Sequence, residues 1–489
     1  MASRSRSSWK TPFLKQCFAT FGVTLSTTGD ANVMGFTSVL LPQLRRTKDI
    51  ILDEDEESWI ASIVGMSLIV GILIVPSVMG IFGRRTTNAI SNGMLAVSWI
   101  GLGFSSTYHT LLYIRIFQGL SIGMTAILAP IIIGEYTTPK YRGAFLTTLA
   151  LSYTLGVLIV HGLSMIFNWR QLSFIFAGTT VIDCIIIMSS PETPGFLASK
   201  GRYDECRKAF RWLRYPEEEE ELEKMIKANM RDTKTVIETS LLRKMQNKTD
   251  YLLTMIKKKE FYKPVILMFH LHIINEWSAS NLLDSYTGDI YAIIIGKNIN
   301  APVIMLCADC VRLVTNLVAI IVIRKFKRRI VLLVTISLNI ASFVLTAAHV
   351  YAKSNGFSTF DYPVVGIGLI IFHSITLAIG NLPLPNIICG EIFCLEYRGI
   401  SSMVTLLFYC VNMIINMKTA LFLFSYIGLH GAYLMYAGLV TYGLVISMIM
   451  LPETKNRTLQ EIEEEFRGEK QTEASDIFLP RAEEEKSGE

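Results

Sequence analysis

Charge is what this chain lacks most. Asp, Glu, Lys and Arg make up 18% of its 489 residues, against about 25% in soluble proteins. The mean hydropathy of +0.41 is too high for a surface that faces only water. Most of the chain is therefore expected to lie in a lipid bilayer. Cysteine is sparse as well: eight in this length exclude a disulfide framework. Cys307-x2-Cys310 has no further Cys or His pair beside it, whereas a metal site needs about four ligands. His270-x-His272 directs its two imidazoles to different sides of a helix. Neither a metal nor a cofactor is expected. The sequence has no phosphate loop, nucleophile elbow or paired catalytic carboxylates, which argues against an enzyme. The net charge of +5 does not indicate a nucleic-acid partner, because the basic residues follow membrane sidedness. The N-terminal MASRSRSSWKTPFLKQ has no apolar core followed by a small-residue cleavage site, so the first span is expected to serve as the targeting signal.

Long apolar runs are what the chain has in abundance. A helix needs about 20 apolar residues to cross a bilayer, and twelve candidates occur. They lie near 17–42, 58–82, 88–106, 111–134, 143–167 and 172–190, then near 264–288, 302–323, 330–350, 362–388, 400–424 and 431–451. Asp30 interrupts the first, and the seventh carries Glu276 and Asp284. With both termini on one side, 37 of the 46 Lys and Arg fall in segments on that side and 6 on the other. The positive-inside rule then makes both termini and the 191–263 loop cytosolic. That loop is charged and helix-prone, with an acidic run at 217–221 read as a solvated face. The 453–489 tail starts as an acidic helix and ends in sequence rich in Glu, Lys and Ser.

The chain also repeats itself. Gly134-Glu135-x5-Tyr141-Arg142-Gly143 returns as Gly390-Glu391-x5-Tyr397-Arg398-Gly399. Arg84-Arg85 after span 2 has a counterpart in Arg328-Arg329 after span 8, and Pro191-Glu192-Thr193 after span 6 returns as Pro452-Glu453-Thr454 after span 12. Three matches in one order, at offsets of 244 to 261 residues, indicate two parallel six-helix halves. The expected architecture is an all-α membrane protein of twelve transmembrane helices in two bundles. Residues 1–190 and 264–452 form the bundles, 191–263 a cytoplasmic loop and 453–489 a cytoplasmic tail.

These residues carry a family resemblance over nearly the whole chain. GRR at 83–85, Arg115-x3-Gly119, Glu135 with PKYRG at 139–143, PETPGFLASKGR at 191–202, Asn281, GEIFCLEYRG at 390–399 and PETKNRTLQEI at 452–462 are similar to those of a sugar porter of the major facilitator superfamily. GFTSVLLPQL at 35–44 and the central insert are most like insect facilitated trehalose transporters. The resemblance implies a carrier of a small sugar, trehalose or glucose, across the plasma membrane by facilitative alternating access. It also implies a cytoplasmic gate of Arg84, Arg85, Glu135, Arg142 and Glu192 in the first half, with Arg328, Arg329, Glu391, Arg398 and Glu453 in the second. These bridges would lock the outward-facing state and break when the halves rock. Exposed pairs contribute only about 0–1 kcal/mol each, which suits a gate that must reopen. Two acidic partners usual in the family are missing, since Gly80 and Arg324 stand in their places, and Lys327 replaces a Gly.

A sugar site needs amphoteric side chains and aromatic faces. The seventh span supplies Asn275, Glu276 and Asn281, followed by Tyr286. Ala150 stands where relatives carry a Gln, Asn386 where they carry a Trp, and Arg312 where they carry an Asn. Pro383, Pro385 and Gly380 interrupt the tenth helix, as a cavity wall permits. Asp30 and Arg115 are candidates for a proton-coupling pair, with Asn32 an alternative to Asp30. Arg312 is expected to be held by Glu276 or Asp309, because a charge at mid-span would cost about 2.5–3.5 kcal/mol if it faced lipid. Two other functions fit the residues. Asp30, Glu276, Asp309 and Arg312 suit a proton-coupled carrier of another polar solute. The lost gate and site residues suit a non-transporting sugar sensor, though 453–489 contains no evident signalling tail. If the orientation holds, Asn247 and Asn456 carry no N-glycan; a mobility shift on endoglycosidase treatment that vanishes in Asn247→Gln would reverse the topology.

Overall fold

In the computed structural model the described residues are almost all helical. They are residues 10–214, 218–220, 222–223, 225–227, 255–296, 301–356, 362–393, 398–455, 457 and 459–468. Asn247, Asn456, two residues of the 217–221 run, most of the tail and the side chain of Arg398 lie outside the described residues.

The first half comprises α1 (Lys10–Thr47), α2 (Glu54–Phe82), α3 (Arg84–Phe104), α4 (Tyr108–Tyr136), α5 (Pro139–Ser164) and α6 (Trp169–Ser189). Two short helices follow, α7 (Pro194–Ser199) and α8 (Tyr203–Leu213). The seventh pass is split into α9 (Lys259–Trp277) and α10 (Ser280–Ile295). Then come α11 (Ala301–Lys325), α12 (Arg328–Ser354), α13 (Pro363–Thr376), α14 (Pro383–Ile392), α15 (Arg398–Tyr426), α16 (Gly428–Met450) and the short α17 (Leu459–Arg467). A π-turn at Leu377–Asn381 joins α13 to α14, so the tenth pass is also broken.

Among the described residues, nine helices are long and apolar enough to cross a membrane. The passes below that mark are α1, α3 and the split seventh, and they run beside the nine. Their polar residues explain the difference. In α1 Gln16, Thr20, Ser26, Asp30, Asn32 and Thr37 are buried, and in α3 Thr87, Asn88, Ser91, Asn92 and Ser98 are. Those side chains face protein, so they lower hydropathy without meeting lipid. The opposite arrangement holds elsewhere, where Val97, Ile185, Val314 and Ile449 are among the exposed apolar side chains.

Packing repeats with the sequence. In the first half the first pass lies against the fourth, fifth and sixth, the second against the fourth, and the third against the fourth and sixth. In the second half the seventh pass lies against the tenth, eleventh and twelfth, the eighth against the tenth, and the ninth against the tenth and twelfth. Each half is thus one copy of the same bundle. The halves meet where α2 packs on α15, α5 on α11 and α1 on α10. The repeated loops all lie at one end of the bundles, called here the motif face. At the opposite face α2, α4 and α6 each start with a capping box, from Asp53 and Glu56, Thr107 and Thr110, and Asn168 and Gln171.

The tightest crossing is that of α2 and α4, which depends on small residues. A Cβ added to Gly119 would lie 2.3 Å from the Val64 carbonyl oxygen, and one added to Gly123 would lie 2.1 Å from that of Leu68. Gly123→Ala must therefore push the helices apart, and overpacking of this kind costs about 1–3 kcal/mol. We expect Gly123→Ala to lower the melting temperature and the monodisperse yield in detergent. Gly178→Ala, where a methyl meets nothing within 4 Å, should behave like the parent. If the two variants behave alike, the close crossing is refuted.

Candidate functional site

At the motif face each half holds its repeated charges together by the same three contacts. Glu192 accepts hydrogen bonds from the backbone N–H of Arg84 and of Arg85, both at 3.0 Å. Glu453 does the same for Arg328 at 3.0 Å and Arg329 at 3.4 Å. A carboxylate here satisfies free amides at the start of α3 or α12 and complements the helix dipole. Arg84 pairs with Glu135 at 3.3 Å, and Arg328 pairs with Glu391 at 2.9 Å. Arg85 donates to the Ser190 carbonyl at 3.1 Å and Arg329 to that of Met448 at 2.8 Å, each at the end of the last pass of its half. Gly83 adopts φ +93°, and a Cβ there would lie 2.4 Å from a Glu192 oxygen. The residues read as a cytoplasmic gate make these contacts within their own halves. Among the described residues no ion pair joins the halves at this face. Arg142 has no carboxylate partner there, and its Nε is buried and unbonded.

At the opposite face the halves are joined. Arg45 of α1 binds Glu57 of its own half, with Nε to Oε1 at 2.7 Å, and reaches Asp289 of α10 at 2.8 and 2.9 Å. Lys418 of α15 binds Asp55 of α2 at 2.5 Å and covers the Trp59 ring at 4.2 Å. Deeper in, Asn316 donates to Thr154 at 2.7 Å. His161 of α5 pairs with Asp309 of α11.

The seventh pass breaks in the middle of the bundle because Ala279 takes a left-handed conformation, φ +65°. Glu276, fully buried just before the break, accepts from Asn281 at 2.7 Å and from Asn416 of α15 at 3.1 Å. Asn281 also donates to the Tyr409 hydroxyl at 2.6 Å, and Tyr436 donates to Asn416 at 2.9 Å. Asn275 is buried one residue earlier, and Tyr286 is buried with its hydroxyl unbonded. Break, amides and aromatic hydroxyls therefore gather around one carboxylate. Such a group can exchange hydrogen bonds with a polyhydroxylated solute and holds it by no covalent chemistry.

A model of the family described as "Sugar (and other) transporter" matches residues 13–466. The chain belongs to that family. It is therefore a membrane carrier with a small-molecule substrate. Over 465 residues it is 24% identical to the facilitated trehalose transporter Tret1 of Culex quinquefasciatus, covering 94% of this chain and 87% of that protein. With Tret1 of Apis mellifera ligustica it shares 24% identity over 463 residues, covering 93% and 89%. Some relatives are longer, and the chain spans 55% of the Anopheles gambiae protein. The fold matches the proton:xylose symporter XylE bound to 6-bromo-6-deoxy-D-glucose, with TM-score 0.67, 16% identity, and coverage of 92% of this chain and 99% of that one. It matches the inward-open conformation of XylE from E. coli at the same TM-score, identity and coverage. The major facilitator fold of two six-helix bundles accounts for the repeated packing.

Two expected pairings are replaced by others. Arg115 does not meet Asp30. It donates to the Val33 carbonyl at 3.0 Å, to Thr37 at 2.7 Å and to Gln118 at 3.2 Å. Asp30 faces Asp183 of α6 and Thr125 of α4 instead, and Asp183 accepts from Ser26 at 2.7 Å. Thr37 lies seven residues beyond Asp30, about two helical turns, which is too far along α1 for one Arg to reach both. Asn386 is exposed, and its amide donates to the carbonyl of Leu382, the residue before α14, at 3.3 Å. Arg312 binds Asp284 at 2.7 Å and lies 3.6 Å from Asp309, whereas the Glu276 carboxylate is occupied by the two amides. Of the two partners expected for Arg312, Asp309 is near and Glu276 is not.

Sequence reasoning passed over His161, Asp183 and Asn381. The first two were visible as ionisable residues within spans, which mark function or pairing by default. Asn381 lies in the π-turn of the tenth pass, fully buried, with neither amide atom bonded. Its position beside Gly380 and Pro383 was the available signal. Arg312→Gln alone would leave Asp284 without its cation, at a cost of about 3–5 kcal/mol. Adding Asp284→Asn removes one charge of each sign. The double variant should recover part of the folded yield lost by Arg312→Gln, measured by size-exclusion chromatography in detergent. Additive losses would show that the two groups do not interact.

Proposed function

We propose that this protein carries a sugar, trehalose or glucose, across the plasma membrane by facilitative alternating access, with the motif face in the cytosol. The observation that supports this most is the division of contacts. The braces at the motif face lie within each half, while the ion pairs between halves lie at the opposite face. Each half therefore moves as a rigid unit, and the central site opens toward one face at a time. On this reading the structure represents a state closed to the outside. Returning to the outward-facing state breaks Arg45–Asp289 and Lys418–Asp55, exposed pairs worth about 0–1 kcal/mol each. It also brings Arg142 toward partners across the motif face.

The substrate follows from likeness to the insect transporters and from the amide, hydroxyl and carboxylate set around Glu276. That arrangement suits hydroxyl groups, which both donate and accept. Trehalose and glucose uptake into proteoliposomes should be saturable and should equilibrate without concentrating the sugar. Imposing a pH gradient should leave the endpoint unchanged, and Arg142→Ala should lower the uptake rate without lowering folded yield. Accumulation above the external concentration under a pH gradient would mean coupling. Absence of uptake by protein of normal yield would favour a sensor.

A further inference from the structure

A buried chain of polar groups crosses from one half to the other between the central site and the opposite face. It runs from Ser38 of α1 through His161 of α5 to Asp309 and Arg312 of α11 and Asp284 of α10. His161 Nε2 lies 2.8 Å from Ser38 Oγ, and His161 Nδ1 contacts an Asp309 oxygen. Arg312 is 2.7 Å from Asp284 and 3.6 Å from Asp309. The His161, Asp309, Arg312 and Asp284 side chains are all at least nine-tenths buried.

The contacts of His161 suit an imidazolium. Its Nδ1 faces the Asp309 carboxylate, and its Nε2 faces the Ser38 hydroxyl, whose hydrogen has the Gly35 carbonyl at 2.7 Å as an acceptor. An imidazolium donates from both nitrogens and satisfies both contacts. The chain itself holds two carboxylates, Asp309 and Asp284, against the single guanidinium of Arg312, so a second cation is accommodated beside Asp309.

The pair is also divided between bodies that must separate. His161 belongs to the first half and Asp309 to the second, and α5–α11 is one of the three seams between them. We propose that His161 and Asp309 form a proton-binding site that is assembled only while the outer face is closed, so that external protons stabilise the closed state. As the outer face closes, the neutral imidazole takes one proton from external water, forming an N–H bond, and Asp309 accepts its hydrogen bond. When the halves part, the imidazolium returns to water and gives the proton back. The sign follows: the closed state holds a proton that the open state releases, so closure is favoured by acid and lost as pH rises. This site is separate from Asp30 and Asp183, which lie within the first half. The other titratable or charged groups facing the chain are Arg312 and Asp284 themselves, Tyr291 of α10, Tyr153 of α5, His373 of α13, and Arg115 of α4 behind Thr37. Of these only His373 is a second imidazole, and it belongs wholly to the second half, bonded to Ser342 at 2.8 Å.

The inference rests on alternating access and not on which sugar is carried. Ser62 offers a reporter. It is buried on the α2 face between Ser58, which donates to the Lys418 carbonyl at 3.2 Å, and Gly65, which packs against Met413. In the full chain in proteoliposomes, a membrane-impermeant thiol reagent should label Ser62→Cys from outside only when the outer face opens. Rates are corrected for background from the parent chain and normalised to Ile51→Cys, a freely exposed position, which cancels the pH dependence of the thiol itself. Between pH 6 and 8 the normalised rate should rise with pH, by at most about tenfold per unit for one linked proton. The rise should disappear in His161→Gln. Asp309→Asn, which keeps the imidazole and removes its partner, should also flatten it and serves if His161→Gln does not fold. Labelling that is independent of pH in Ser62→Cys, or a slope that survives either substitution, overturns the proton site while leaving alternating access intact. No labelling at any pH overturns both.

Discussion

A charged side chain within a bilayer has no water to turn to, so it must find its partners inside the protein. Arg312, Asp284, Asp309 and His161 meet that requirement together, in a chain that reaches from one bundle into the other. Arg312 stands where the resemblance implies a neutral amide. Its guanidinium draws Asp284 and Asp309 toward it, and Asp309 in turn reaches His161. The polar middle of the molecule thereby becomes part of the contact between its moving halves. Glu276 is handled differently, by two amides and no cation, so the carboxylate nearest the helix break keeps neutral neighbours.

Strong and weak contacts are sorted by where they act. Within each half, the acid of the PET motif sits on the first amides of α3 or α12, and the neighbouring arginine caps the end of the last pass. Backbone partners of this kind hold loops in fixed positions, because losing them would leave unpaired amides as well as unpaired charge. Between halves, at the opposite face, the pairs are exposed and few. Arg45 and Lys418 tie the bundles through side chains in contact with water. Rigid bodies joined by weak, hydrated seams are what a rocking carrier requires. The buried His161–Asp309 pair is the exception, and its dependence on a proton is what lets so deep a contact come apart.

Much of this was determined by the sequence alone. Apolar runs, the bias of Lys and Arg, and the spacing of three repeated motifs established an all-helical membrane protein of two parallel halves, because the hydrophobic effect and charge sidedness act on local composition. The break in the tenth pass was legible from Gly380 and the two prolines, whereas the break in the seventh, at Ala279, was not. Tertiary structure alone decided which charges meet. Glu192 and Glu453 read as gate charges, yet they cap helices, since a carboxylate close to free amides binds them before any distant arginine. Arg115 reaches Val33 and Thr37 of α1 and not Asp30, and Arg312 binds Asp284 and not Glu276. Each outcome depends on helix rotation and crossing angle, where a shift of one residue moves a side chain by about 100°. A linear pattern records the period of a helix but not the partner that its neighbours bring within reach.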